Sequence, residues 1–177
     1  MAPSWSSLWA AVVRFAHARG AVPATFGWNL AQGSVVPGPS ELLLAPLVLA
    51  DPPRGWRLAA AATTGSVLGG CIAWWLGAAA FETIGRPLLG YIGISDTMLA
   101  RAMALMARHG WLFIIGSVLT PVSAKAVSIG AGAVGMPLPV FALALTTGRA
   151  LRFSVVVVLL RTSAGVLHRW RLQRFPP

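Results

Sequence analysis

Acidic side chains are scarce in this sequence. Four carboxylates stand against 14 lysine and arginine residues, which gives a formal net charge of +10 at pH 7. Charged residues of all types make up only 10% of the chain, whereas a soluble globular domain has about 25%. Hydrophobic residues make up 56%, more than a soluble domain of this size could bury. The composition therefore predicts one domain of 177 residues embedded in a lipid bilayer.

Cysteine and histidine are as rare as acid. Cys71 is the only cysteine, which excludes an intrachain disulfide and a cysteine zinc cluster, and we expect a packed or lipid-facing thiol. The three histidines are scattered, and neither a Ser-His-acid arrangement nor a phosphate-cradling glycine loop is present in the sequence. We therefore expect no enzyme activity, no catalytic residue, no cofactor and no metal site. The basic excess lies beside apolar runs without a nucleic-acid motif, so it indicates membrane orientation and phosphate contact.

Two stretches are long and apolar enough to cross a bilayer, for which about 20 residues are needed. Leu58 to Phe81 carries no charge and contains a GxxxG spacing, which permits close helix approach. The second stretch, from about Val140 to Leu160, is interrupted by Arg149 and Arg152. An arginine near the bilayer centre costs at least about 2.5–3.5 kcal/mol, so the pair indicates a polar cavity, an acidic partner or a bound anion. The alternative is that both arginines extend to one interface.

Two other apolar regions, residues 20–50 and 111–135, are broken by prolines and glycines. Proline removes a backbone donor, and irregular backbone at membrane depth must be shielded by protein or line a wet cavity. We therefore predict a re-entrant helical hairpin in each region. Residues 5–19 and a helix from about Asp96 to Arg108, capped by Ser95, have apolar positions at helical spacing and are expected to lie along the interface.

A shift of 83 residues superposes two triplets without a gap: Gly33–Val35 on Gly116–Val118, and Thr63–Gly65 on Thr146–Gly148. Each half then consists of a hairpin followed by a span, and a single crossing reverses sides, so the halves must be inverted. Eight arginines against three favour cytoplasmic N- and C-termini. The predicted fold is an all-α integral membrane protein with an interfacial helix (1–20), repeat 1 (21–81), an interfacial connector (82–110), repeat 2 (111–160) and a basic cytoplasmic tail (161–177).

The charged residues within these segments are the candidates for chemistry. Glu41 ends the run Pro37–Glu41 in the first broken segment, and Lys125 follows Pro121 in the second. Their side chains could neutralise each other or bind an anion and a proton alternately, while a purely structural ion pair is the alternative. Intramembrane ionisable groups usually mark pathways, and guanidinium groups bind phosphate in a fork. The predicted substrate- or ion-binding residues are Glu41, Lys125, Arg149, Arg152, Ser40, Pro37, Pro39 and Pro121.

Several of these runs resemble the DedA family, also called VTT-domain or SNARE-associated membrane proteins. The motifs are Pro37-x-Pro39-Ser40-Glu41, Gly65–Gly70, and Gly130–Gly132 followed by Met136 and Phe141; Gly148-Arg149-x-x-Arg152-Phe153 resembles the YqaA-like branch. The resemblance covers about residues 25–160. It implies a bacterial inner-membrane protein with two facing re-entrant hairpins. Such proteins are linked to flipping undecaprenyl phosphate or phospholipids with ion coupling, and eukaryotic relatives resemble lipid scramblases.

By this resemblance Glu41 matches the essential hairpin acid, and Lys125 lies roughly where a basic residue follows the proline of the second hairpin. The sequence also departs from the family pattern. Many relatives have an arginine just before that proline, where this chain has Ser117–Thr120, and the second acid of some members has only Asp51, beside two prolines, as a counterpart.

The expected function is translocation of a phosphate-bearing lipid. The expected partners are membrane lipids with an anionic phosphate headgroup, with protons or Na⁺ as candidate coupling ions, and no nucleic acid. A homodimer is expected because two spans and two hairpins make a thin wall. A proton- or ion-coupled carrier of a small solute and a non-transporting membrane scaffold are the alternatives.

Overall fold

The computed structural model describes residues 5–34, 36–91, 93–119 and 124–174, and all regular structure in these ranges is helical. The helices are α1 (Trp5–His17), α2 (Ala21–Ser34), α3 (Glu41–Ala50), a 3₁₀ turn (Pro52–Arg54), α4 (Gly55–Ala80), a π-helical turn (Phe81–Gly85), α5 (Arg86–Tyr91), α6 (Asp96–His109), α7 (Trp111–Leu119), α8 (Ala124–Ala133) and α9 (Leu138–Arg174). The prediction of an all-α protein is confirmed.

Two helical stretches are long and apolar enough to cross a membrane. They are Pro52–Ile84, with 33 residues, and Leu138–Ser163, with 26 residues. The two spans predicted from the sequence lie within these stretches, so the prediction of two candidate spanning helices is confirmed. Helix α9 continues to Arg174, so residues 161–174 extend this helix instead of leaving it as a separate tail.

The two broken regions each form a pair of short helices. At 1.5 Å per residue, the 14 residues of α2 and the 10 residues of α3 extend about 21 and 15 Å, short of the roughly 30 Å of hydrocarbon in a bilayer. The break between them contains Pro37 and Pro39, and α3 begins at the next acid. Helices α7 and α8 have 9 and 10 residues, and the segment 120–123 between them, with Pro121, lies outside the described residues.

Helix α2 runs parallel to α4 with the two backbones in contact. The space that a Cβ would fill at Gly65 is taken by the carbonyl oxygen of Phe26, and the space at Gly69 by that of Leu30. On α2, Gly33 lies equally close to the backbone of Ser66. The GxxxG spacing therefore serves packing inside this chain, since only glycine allows this separation.

Helix α8 contacts the second half of α4 in the same way. Gly77 lies against the carbonyl oxygen of Ile129, and Gly132 lies against that of Trp74. The indole of Trp74 also donates a hydrogen bond to the carbonyl of Met136 at 3.0 Å. Helices α2 and α8 thus cover successive halves of the same long helix.

Helix α9 crosses α4 in antiparallel orientation, since Gly55 lies against Val157 and Gly70 lies against Leu145. Two hydrophobic clusters lie on either side of the middle of this crossing. One cluster contains Leu44, Leu47 and Val48 of α3 with Leu58, Phe153 and Val157, and the other contains Ile114 and Val127 with Phe141 and Leu145. The middle of both long helices therefore lies between two apolar cores.

Helices α1 and α6 occupy the two regions predicted to be amphipathic. The cap predicted at the start of α6 is confirmed, because the Ser95 hydroxyl accepts a hydrogen bond from the Met98 N–H at 3.3 Å. The end of α1 is held by Arg54, whose guanidinium donates to the carbonyl of Ala16 at 3.2 Å. Asp51, which is buried, lies 3.4 Å from the Arg54 guanidinium and binds it at the end of α3.

Candidate functional site

Arg149 and Arg152 lie on either side of the midpoint of the apolar stretch Leu138–Ser163. Arg149 is only 4% exposed, so its guanidinium is enclosed by protein. Neither side chain can extend from this position to an interface as the sequence alternative required, since about 12 residues separate each from either end of the stretch. Their presence at this depth therefore calls for polar surroundings.

Glu41 supplies part of these surroundings. Arg152 donates hydrogen bonds from Nε and from Nη2 to Oε1 of Glu41, both at 2.7 Å. Such lengths are those of charge-assisted bonds. Glu41 is the first residue of α3, where a carboxylate is also stabilised by the helix dipole. Because α3 lies along α9, its first residue reaches the middle of the span.

The ion pair differs from the one that the sequence suggested. Glu41 is bound by Arg152 instead of Lys125, and within the described ranges Lys125 has no carboxylate partner. The reason is the packing: α3 lies against α9, whereas α8 lies against α4. Lys125 is nevertheless buried, with 8% exposure, and is within electrostatic range of Arg149. Arg149 in turn is within range of Arg152 and Glu41.

The structure therefore brings four of the predicted residues into one group: Glu41, Lys125, Arg149 and Arg152. We call this group the charged cluster. It contains three cations and one carboxylate, so its formal charge is +2. A net positive group that is largely removed from water is costly by itself, and an anion that enters it offsets this cost.

Four buried polar atoms at the same depth have no hydrogen-bond partner among the described residues. They are Nε of Arg149, Oγ of Ser66, Oδ1 of Asn29 and Oε1 of Gln32. The antiparallel register of α9 on α4 places Arg149 opposite the turn that contains Ser66. The parallel register of α2 on α4 places Asn29 and Gln32 at the level of the same turn. These atoms thus extend the charged cluster toward α2.

The orientation of the Asn29 amide is fixed. Its Nδ2 donates to the carbonyl oxygen of Thr25 at 3.0 Å, and only the nitrogen of the amide can do so. Oδ1 therefore points away from that bond, and it is an acceptor. Asn29 and Thr25 are both fully buried. Helix α2 consequently presents acceptor oxygens, whereas α9 presents donors.

The remaining predicted residues shape the first break. Ser40 is buried, but its side chain makes no cap hydrogen bond to α3. Pro37 and Pro39 are exposed, and the carbonyl of Pro39 accepts a hydrogen bond from the indole of Trp28 at 3.2 Å. Pro121 lies outside the described residues. The two prolines therefore end α2 and direct the chain into α3 without contributing a charged or donor group to the cluster.

Sequence reasoning missed three polar residues of this site. Asn29 and Gln32 were interpreted as interruptions of an apolar segment, and Ser66 as part of a glycine-rich packing motif. A signal was available: Thr25, Asn29 and Gln32 are spaced by four and three residues, which places them on one face of a helix. A polar face on a membrane-depth helix indicates protein or a polar ligand opposite it.

Comparison with known proteins agrees with the fold. The sequence matches the family model of the VTT domain over residues 38–162, which includes α3, α4 and the second pair of short helices. Neither the curated proteins nor the solved structures yielded a significant match. The matched region is more than half of the chain and contains all four residues of the charged cluster. The chain therefore belongs to the VTT domain family, the DedA family of membrane proteins.

Proposed function

We propose that this protein moves a phosphate-bearing lipid, such as undecaprenyl phosphate or a phospholipid, from one leaflet of the bilayer to the other. The observation that carries the proposal is Arg149, which is almost fully buried at mid-span and whose Nε has no partner among the described residues. Together with Lys125 and Arg152 it outnumbers the single carboxylate of the cluster. A phosphate group supplies both the charge and the acceptor oxygens that these cations lack.

The proposal includes an architecture of two inverted repeats, each with a re-entrant hairpin. Two observations support it. Helices α3 and α8 have the same length and begin 83 residues apart, at Glu41 and Ala124, and α4 and α9 begin 83 residues apart, at Gly55 and Leu138. The packing is also exchanged, because α3 lies on α9 while α8 lies on α4. Such exchange is what a two-fold axis in the membrane plane produces.

We further propose a bacterial inner-membrane location with both termini in the cytoplasm. Cysteine labelling on a Cys71→Ser background tests this topology. Arg19→Cys and Pro53→Cys flank the first hairpin, and His109→Cys and Val134→Cys flank the second; all four positions are exposed. A membrane-impermeant maleimide is expected to label the first two only from the cytoplasmic side and the last two only from the opposite side. Two members of one pair reacting from opposite sides would show a full crossing and contradict the hairpin.

In the proposed mechanism the phosphate enters at the level of the charged cluster while the acyl chains remain in the hydrocarbon. Arg152 exchanges its Glu41 partner for the phosphate, since a carboxylate and a phosphate compete for the same guanidinium donors. Glu41 released from this pair, in a site poor in water, takes up a proton or binds a cation. This exchange offers a route by which a proton or Na⁺ gradient could be coupled to lipid movement, without a covalent step.

Reconstitution into vesicles tests the function. A tail-labelled phospholipid with an anionic headgroup and a tail-labelled diacylglycerol without phosphate are followed between leaflets, with protein-free vesicles as the baseline. We expect the protein to accelerate only the phosphate lipid. If vesicles instead accumulate inorganic phosphate while the labelled lipid stays in its leaflet, the protein is a small-solute carrier. If neither moves above the baseline, the scaffold alternative is favoured.

A further inference from the structure

The charged cluster accounts for a phosphate, but it does not account for the acceptor oxygens on α2. Oδ1 of Asn29 and Oε1 of Gln32 are buried acceptors without a donor in the described part of the chain. A buried acceptor without a donor costs about 1–3 kcal/mol. Both residues lie on the face of α2 that continues from Ala21, which packs into the hydrophobic cluster of α3, α4 and α9. They consequently face the interior at the level of Arg149.

We propose that these two oxygens bind a hydroxyl group of the transported headgroup, so that the preferred lipid is an anionic phosphodiester bearing a hydroxyl, of the phosphoglycerol type. This inference rests on the proposed function, since it divides the same site into two parts. Cations on α8 and α9 bind the phosphate, and acceptors on α2 bind the group attached to it. A headgroup that lacks a hydrogen-bond donor leaves the acceptors unsatisfied.

Charge decides between a hydroxyl and an ammonium as the donor. The cluster has a formal charge of +2 before a ligand enters. Even with a singly charged phosphate in place, an ammonium headgroup adds a cation to a site that is still positive and shielded from water. A hydroxyl supplies the same hydrogen bond without that repulsion. The same repulsion disfavours a metal cation at the two amide oxygens.

Two labelled lipids of equal charge test the proposal. Phosphatidylglycerol and phosphatidylethanol are both singly charged phosphodiesters, and only the first has hydroxyl groups beyond its phosphate. In vesicles the wild-type protein is expected to move phosphatidylglycerol about three- to tenfold faster, the range that one or two hydrogen bonds produce. In Asn29→Leu and Gln32→Leu the ratio of the two rates is expected to fall to about one, because phosphatidylglycerol slows while phosphatidylethanol keeps its rate.

Thr25→Val is the matched control. Thr25 lies on the same buried face, but its hydroxyl already donates to the carbonyl of Ala21 at 2.8 Å, so its loss is expected to leave the ratio unchanged. If a leucine variant does not fold, Asn29→Ala takes its place. A wild-type ratio near one, or a ratio that survives in both leucine variants, would overturn the proposal and would assign the two oxygens to ordered water.

A binding measurement separates this inference from the proposed function. Soluble dihexanoyl phosphatidylglycerol and dihexanoyl phosphatidylethanol are added to the purified protein, and the rise in Tm is recorded for each. A larger rise with the glycerol lipid that disappears in Asn29→Leu supports the hydroxyl site even if no lipid crosses the bilayer, in which case the translocase proposal fails alone. Equal rises with both lipids support the phosphate site and refute the hydroxyl site. No rise with either refutes both.

Discussion

The Arg149→Met variant is expected to move phosphate lipid about 10- to 100-fold more slowly than the wild-type protein while keeping or raising its Tm. The loss follows from one or two charge-assisted hydrogen bonds to the phosphate, each of which contributes about 1.5–3 kcal/mol when formed. The unchanged or raised Tm follows from the ligand-free state, in which the guanidinium is 4% exposed and its Nε has no partner in the described ranges. Methionine of similar length removes that buried charge and fills the same space.

The combination of the two measurements is what distinguishes a binding residue from a structural one. If Arg149 were a structural residue, its removal would lower Tm and lipid movement together. Arg161→Met serves as the control, because Arg161 is exposed near the end of the same apolar stretch and the substitution changes the net charge equally. An Arg149→Met protein that moves lipid at the wild-type rate would remove the residue from the site.

Removing Glu41 is expected to have the opposite effect on stability. In Glu41→Ala the guanidinium of Arg152 loses the acceptor of its two 2.7 Å bonds, and the cluster becomes more positive. The side chains are 25% and 36% exposed, so the loss should fall below that of a fully buried pair, at about 1–3 kcal/mol of unfolding free energy. Lipid movement should also fall at least tenfold, because a phosphate bound by an uncompensated Arg152 is released slowly.

A double-mutant cycle measures this coupling. Glu41→Ala/Arg152→Ala should regain most of the stability that Glu41→Ala loses, since no charge is left without its partner, but it should not regain lipid movement. Glu82→Gln, which also removes a negative charge but at an exposed position outside the cluster, is expected to behave like the wild type. Additive effects of the two substitutions on the unfolding free energy would mean that the pair contributes nothing to stability. Full recovery of lipid movement in the double variant would show that the pair serves folding alone.

Much of the fold is predictable because the membrane restricts the choices. A long uncharged run can only be a buried or spanning helix, so the stretch from Leu58 to Phe81 lies inside α4. Prolines at 37 and 39 must end a helix, and a break is present there. The Ser95 cap follows from the need of the first N–H groups of α6 for an acceptor. These features depend on neighbouring residues alone, and sequence gives them directly.

The partners within the site could not be predicted in the same way. The sequence places Glu41 and Lys125 at equivalent ends of two short helices, but it does not indicate which long helix each short helix contacts. That choice depends on backbone contacts such as Gly77 with Ile129, which place α8 on α4 and leave α3 to α9. Arg152 then becomes the nearest cation to Glu41. The role of Asn29 was missed for the same reason, since an amide is informative only once the opposite helix is known.

The glycine contacts of α4 have a consequence for how the protein can move. Where one backbone touches another, as at Gly65, Gly69, Gly77 and Gly132, neither helix can rotate or slide without steric overlap. Helices α2, α4 and α8 therefore behave as a single stiff frame. Helices α3 and α7, which contact their neighbours through the side chains of the two hydrophobic clusters, are left as the mobile parts. Access should thus open and close by displacement of these two short helices against a stationary frame, instead of by the rocking of one half of the molecule against the other.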